Sequence, residues 1–220
     1  MHRRSAVNDA LFYVMDFVDG VVMHSDEVSS VEMPNIASHG DRRAPGRRCL
    51  RRCTPSTDDI GLGDLGRKEA FLDRQLKRWS TQWEGSKTRE LTQMDEAYAG
   101  LMASKPEQRH RHRPRRLPPG NMLVDPVAGS VSAVLDRELC TLGDVLADLG
   151  YLLNNWVELG DELACGKTSY PTAIAGLLGR SQIVERYIEK TGFEVGNVDY
   201  YRAFQACASR RSSRACSLAT

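Results

Sequence analysis

Two residues with oxygen-bearing side chains, Asn121 and Asp136, carry the most specific chemical signal in the sequence. Asn121 opens a short β-type run, Asn-Met-Leu-Val-Asp125, and Asp136 closes a second, Ser130-Val-Ser-Ala-Val-Leu-Asp136. The Pro126-Val-Ala-Gly129 stretch between them has turn chemistry, so the two runs predict a β-hairpin. Phosphoryl transfer needs hard oxygen ligands for Mg²⁺ beside the nucleotide phosphates. Kinases draw them from an Asn after the catalytic loop and an Asp ending the next hairpin. Asn121 and Asp136 have that spacing. The competing structural reading is that both merely cap a hairpin.

Three other constellations are weaker. Gly61-Leu-Gly63-Asp-Leu-Gly66 fits G-x-G-x-x-G, but a dinucleotide site needs a strand in front of it, and Pro55-Ser-Thr-Asp-Asp59 is not one. It reads as a loop leading into a helix. His110-Arg-His112 has no Cys, Asp or Glu at ligand spacing, and no aromatic residue interleaves the arginines of 109–116 for base stacking. The six cysteines show no C-x-x-C pairing and read as reduced thiols.

The elements that must position the pair follow from periodicity. Residues 11–20, Leu-Phe-Tyr-Val-Met-Asp-Phe-Val-Asp-Gly, predict a buried strand entering a turn. Leu72, Leu76, Trp79 and Trp83 fall on one face of a helix expected over 66–86, and a second helix is expected over 88–103. Asp144 is the expected N-cap of a core helix carrying Val145, Leu146, Leu149, Leu152, Leu153 and Trp156. A helix over 180–191 turns Ile183, Val184, Tyr187 and Ile188 inward, with Lys190 in its last turn and Gly192 as its stop. The last helix spans 198–206.

With 220 residues, 41% of them hydrophobic, the chain can bury a real core. No run reaches the roughly 18 apolar residues of a membrane span, and no signal-peptide core follows the N-terminus, so the expected compartment is the cytoplasm. The formal charge of +1 is unevenly spread. Residues 42–52 carry six arginines, 109–116 five and 210–214 three, with no acid among them; taking these fourteen charges from +1 leaves −13 for the rest. Segments 34–57, 105–119 and 207–220 have no period and read as disordered or aberrant.

The stretch Gly120-Asn121-Met-Leu-Val-Asp125, Ala133-Val-Leu-Asp136 and Leu142-Gly-Asp144-Val-Leu-Ala-Asp148-Leu-Gly150 resembles the aminoglycoside phosphotransferase and choline-kinase-like superfamily. The likeness is to its branch associated with acyl-CoA dehydrogenases, which reads roughly V-H-G-D-Y-R-x-G-N-x-x-x-D and then V-L-D-W-E-x-x-x-x-G-D-P-x-x-D-L-G-Y. Residues 12–20 resemble its hinge, 60–66 its G-L-G-D-x-G loop and 75–79 its R-Q-x-x-R-W helix. Residues 186–192 and 200–204 resemble its C-terminal helices. About two thirds of the chain is covered.

The resemblance implies an α+β, protein-kinase-like fold, mainly the helical C-terminal lobe with its catalytic β-hairpin. Residues 1–20 would be the remnant of the N-lobe and hinge, and 21–220 the C-lobe. It implies ATP and Mg²⁺ as cofactors, with adenine held by the backbone near Met15, Asp16 and Val18 and Mg²⁺ by Asn121 and Asp136. The implied reaction moves the ATP γ-phosphoryl group to the hydroxyl of a small molecule. A membrane partner is not expected, nor a nucleic acid. The alternative is a non-catalytic binding protein that uses its arginine-rich segments on nucleic acid or protein.

Two losses stand against activity, beside two minor substitutions. The family's catalytic Asp lies five residues before the metal-binding Asn, and here that position is Arg116, whose guanidinium cannot accept a proton. Arg137 and Val145 replace a Trp and a Pro of the pattern. The phosphate-covering lobe expected before the hinge is missing, so the chain reads as starting inside its domain. A shared origin accounts for the arginine islands. Residues 113–118, written CGT CCA CGG CGA CTA CCG CC, give Val-His-Gly-Asp-Tyr-Arg from the second base, which is the missing motif. Residues 52–57 give Leu-His-Ala-Val-Asp out of frame, and residues 207–217 give the apolar pattern Arg-Val-Ala-Ala-Ile-Val-Glu-Gly-Val-Leu. The islands therefore read as frame-shifted stretches of GC-rich DNA.

Overall fold

The computed structural model describes residues 2–7, 10–14, 16–22, 70–87, 90–107, 121–127, 130–135, 143–161, 172–173 and 177–210. Two small antiparallel sheets accompany five helices. Strands β1 (His2–Val7) and β2 (Ala10–Val14) pair as a hairpin, His2 opposite Val14. Strands β3 (Val21–Val22), β4 (Met122–Asp125) and β5 (Ser130–Val134) form the second sheet, with β4 central.

The run over 11–20 is not one strand. It stops at Val14, residues 16–20 are exposed without regular structure, and Phe17 is 90% exposed. Asp16, Asp19 and Gly20 explain the break, since acidic and turn residues fit a sheet interior poorly. Pairing resumes at Val21 and Val22, which face Val124 and Leu123 of β4.

The helices are α1 (Phe71–Ser86), α2 (Thr92–Ala103), α3 (Val145–Asn155), α4 (Arg180–Thr191) and α5 (Val198–Arg210). Helix α1 begins later than its periodicity suggests because Ala70 takes a left-handed conformation (φ 49°), which cannot continue a right-handed helix backward. Helix α2 begins at Thr92, after the extended Leu91. Helix α3 starts where expected but ends at Asn155, leaving Trp156 outside it, and α4 starts and stops where expected. Gly192 closes α4 in the left-handed conformation (φ 68°) and donates its N–H to Ile188 O. The buried face of α4 is narrower than predicted: Ile183 and Tyr187 are buried, whereas Val184 is half-buried and Ile188 is 40% exposed.

Helix α5 corrects the expected end at 206. It runs to Arg210, and Cys207 and Ala208 are buried. They lie three and four residues past Phe204, on the same helical face, and are small and apolar enough to stay inside. The remaining residues of 207–220, and all of 34–57, lie outside the described ones.

Phe204 is fully buried at the centre of the core, 4.5 Å from the Trp79 ring and 6.3 Å from the Phe71 ring, centroid to centroid. Such aromatic groupings add about 1 kcal/mol per pair beyond area burial. Tyr200 donates to Leu101 O at 3.2 Å, and burial, helped by the charges of Asp73 and Asp144, pushes its hydroxyl up to about 12. It therefore stays a neutral donor. At the crossing of α3 and α5, Gly150 lies against the Tyr201 backbone, Asn154 Nδ2 donates to Arg202 O at 2.7 Å, and Gln205 Nε2 donates to Ala147 O at 2.9 Å.

The chain after α3 is fastened to the start of α4. Arg180 donates through Nε to Glu158 Oε2 and through a terminal nitrogen to Asp161 Oδ1, while its backbone N–H donates to Glu158 Oε1. Asp161 also accepts the Glu158 N–H, and Trp156 Nε1 donates to Leu178 O. The Glu158 N–H, with the Arg180 guanidinium adding to it, holds the Asp161 carboxyl below its ordinary value of 3.8. A lowered folded value means that this stabilisation is complete above pH 3.8 and is lost as pH falls through the lowered value. Asp161→Asn should therefore lower unfolding stability by about 1 kcal/mol at neutral pH. In urea titrations the gap should narrow as pH falls through the lowered value of Asp161; a gap of equal size at every pH would mean that the carboxylate charge is not what matters.

Candidate functional site

The hairpin β4–β5 and its approach carry the residues singled out above. Met122 and Val124 point into the core and are buried, as is Val131 on β5, so alternation fixes which face each strand presents. The register pairs Met122 with Val134 and Leu123 with Ala133, then shifts so that Val124 pairs with Val131. Ser132 is left as an extra residue on β5, a bulge that re-aims the strand end. At the turn, Val127 N–H donates to Asp125 Oδ1 at 2.8 Å.

Asn121 is half-buried at the mouth of this hairpin, one residue before β4. Its backbone carbonyl accepts the Leu135 N–H at 2.8 Å, which carries the ladder one step beyond the strand ends. Residue 135 is thus fixed opposite residue 121, and the next residue in the chain is Asp136. Asp136 lies outside the described residues, as do Arg116 and Met15. An amide oxygen and a carboxylate are the donor types a hard divalent cation prefers. Among the described residues, no group of three or more His, Cys, Asp or Glu could hold a metal ion.

Asp16 and Val18 are exposed in the segment leading to β3. Because β3 pairs antiparallel with β4, Val21 opposite Val124, that segment enters the sheet at the Asp125 end of β4, the end away from Asn121. Gly20 makes the junction possible: a Cβ there would lie 3.1 Å from Leu123 Cβ and 3.2 Å from Val124 O, tighter than ordinary contact. A larger residue would push the segment off the strand.

Gly143 and Asp144 are a structural fastening. Asp144 is buried and caps α3 by accepting the Leu146 N–H at 3.0 Å. Its second oxygen accepts the Tyr201 hydroxyl at 2.7 Å, which ties the start of α3 to α5. Gly143 receives the Phe71 ring so closely that a Cβ would come within 2.5 Å of it. Sequence reasoning found the Asp144 cap but missed Tyr201, because a bond between residues 144 and 201 leaves no local signature. The Tyr200-Tyr-Arg-Ala-Phe204 pattern was its only trace.

Comparison with known proteins agrees with this arrangement. A family model described as the phosphotransferase enzyme family matches residues 3–165. The chain is 25% identical over 150 residues to acyl-CoA dehydrogenase family member 10 of Mus musculus, covering 67% of this chain and 14% of that protein. It is 27% identical over 145 residues to acyl-CoA dehydrogenase family member 11 of Rattus norvegicus, covering 64% of this chain and 18% of that protein. It is also similar to the solved structure of a provisionally assigned aminoglycoside phosphotransferase from Ralstonia eutropha JMP134, with a TM-score of 0.70 and 27% identity. That match covers 90% of this chain and 60% of the other. The chain thus spans a small part of the curated relatives. The α+β, kinase-like architecture expected from the sequence is the one observed. No helix among the described residues is long and apolar enough to cross a membrane.

Proposed function

Because the chain belongs to the phosphotransferase enzyme family, we propose that its scaffold is that of a cytoplasmic kinase moving the ATP γ-phosphoryl group, with Mg²⁺, to a small-molecule hydroxyl. We propose further that the chain as it stands performs no turnover. The observation that carries the first reading is the hydrogen bond from Leu135 N–H to Asn121 O, which holds the hairpin closed immediately before Asp136. Asn121 and Asp136 would hold the metal, whose contribution is to neutralise charge on the transferring group. Backbone groups near Met15, Asp16 and Val18 would receive the adenine.

The second reading rests on Arg116. Orienting an acceptor hydroxyl requires a group that can take its proton, and a guanidinium is a permanent cation with no acceptor atom. It also brings positive charge to the place where a carboxylate belongs. The other arginines of 109–116 read as products of the same frame shift.

The name of the solved relative suggests which acceptors to try first: aminoglycosides. Incubated with ATP, Mg²⁺ and these acceptors, the purified chain should transfer no phosphoryl group above an Asp136→Ala control. Transfer that disappears in Asp136→Ala would refute the inactivity and support the kinase assignment together. Transfer that survives it would count against the metal role of Asp136.

A further inference from the structure

We infer that α4 is a separately releasable helix, latched to the rest of the fold by the Arg180 clasp, and that this latch opens while α1, α2, α3 and α5 stay packed. Among the described elements the close helix pairs are α3 with α5, α2 with α5 and α1 with α2, and α4 belongs to none. It buries only Ile183 and Tyr187, whereas α5 buries Tyr200, Tyr201, Phe204, Cys207 and Ala208. Part of its aromatic contact is local, since the Tyr187 ring lies 6.3 Å from Phe193, just beyond the helix end. Local opening costs little where few apolar side chains are buried.

Besides Ile183 and Tyr187 in the core, what ties the start of α4 to the chain after α3 is ionic and partly wet. The side chains of Arg180, Glu158 and Asp161 are 23%, 36% and 27% exposed. Arg180 joins both acids through its guanidinium, and its own N–H adds a second bond to Glu158. One neutral bond, Trp156 Nε1 to Leu178 O, completes the attachment. Partly exposed ion pairs weaken as salt screens them, while the apolar contacts of α3 and α5 do not. The device is therefore a salt-sensitive latch on one helix.

Hydrogen exchange followed by mass spectrometry on the full chain tests it. Peptides of α4 should exchange at least about tenfold faster than those of α3 and α5. Raising salt to about 1 M, or introducing Arg180→Gln, should speed α4 a further five- to tenfold and leave α3 and α5 unchanged. Equal rates in all three helices at low salt would overturn the inference, as would a salt effect spread evenly over them. Arg180→Gln losing all helical circular dichroism would overturn it as well, because a latch can be opened without unfolding the core.

Discussion

Replacing Gly150 with alanine is expected to destabilise the fold by about 3 kcal/mol, the upper end of what a single extra methyl costs in a packed interior. Alanine is ordinarily the better helix former by about 1 kcal/mol, so at an unhindered position the same change stabilises. At Gly150 the new Cβ would sit 2.6 Å from the carbonyl carbon and oxygen of Tyr201 and 2.9 Å from its Cβ. Backbone cannot swing aside as a long side chain can, so α3 and α5 must separate. Their separation would strain the Tyr201–Asp144 bond and the Asn154 and Gln205 contacts along the same seam. Gly100 in α2 is the internal control, because nothing lies within 4 Å of a Cβ built there. Gly100→Ala should stabilise by about 0.5–1 kcal/mol. Urea midpoints of the two variants should move in opposite directions, and a neutral Gly150→Ala would show that the two helices do not meet as closely as described.

The second large effect is a gain of function. Substituting Val-His-Gly-Asp-Tyr-Arg for residues 113–118 returns a carboxylate to position 116 without changing the distance to Asn121. A positioned general base contributes about 10²- to 10⁴-fold to rate. Set within a chain that carries a phosphate-covering lobe, the repaired segment should raise ATP-dependent transfer to the acceptor panel by at least about 10²-fold over the same chain with Arg116. The gain should vanish in the Asp136→Ala background and fall sharply with Asn121→Ala, both proposed metal ligands. The single change Arg116→Asp should recover less, because the other five residues that shape the loop remain foreign. A restored chain with Mg²⁺-dependent ATP binding but no transfer would point away from Arg116 as the only defect.

Much of this molecule could be read before its coordinates, and the reasons are local. Asp144 capping α3 and Gly192 closing α4 are determined by a few neighbouring atoms, and α3 begins and α4 ends where those residues predict. Apolar periodicity likewise located Leu72, Leu76 and Trp79 in the core. What failed was of two kinds. Composition misled at 207–210, where Cys207 and Ala208 look unremarkable beside the arginines yet complete the buried face of α5. Strand β1 was missed because His2-Arg-Arg-Ser5 carries no alternation of apolar and polar residues. Long-range pairings were invisible for a different reason. The Tyr201–Asp144 bond and the Arg180 clasp depend on how elements come together, and no spacing encodes them. Of the candidate site, the hairpin that follows Asn121 was legible because turn chemistry and strand patterning meet there.

Inactivity of the chain follows if the arginine at position 116 arose by out-of-frame reading of a phosphotransferase gene. The nucleotide sequence encoding residues 105–125, read in all three frames, is the most direct measurement. The account predicts Val-His-Gly-Asp-Tyr-Arg in a second frame across residues 113–118, bounded by compensating single-base changes that restore the frame before Gly120 and Asn121. An error-free read with ordinary codons for Pro114, Arg115 and Arg116, and no such motif in either other frame, would contradict it.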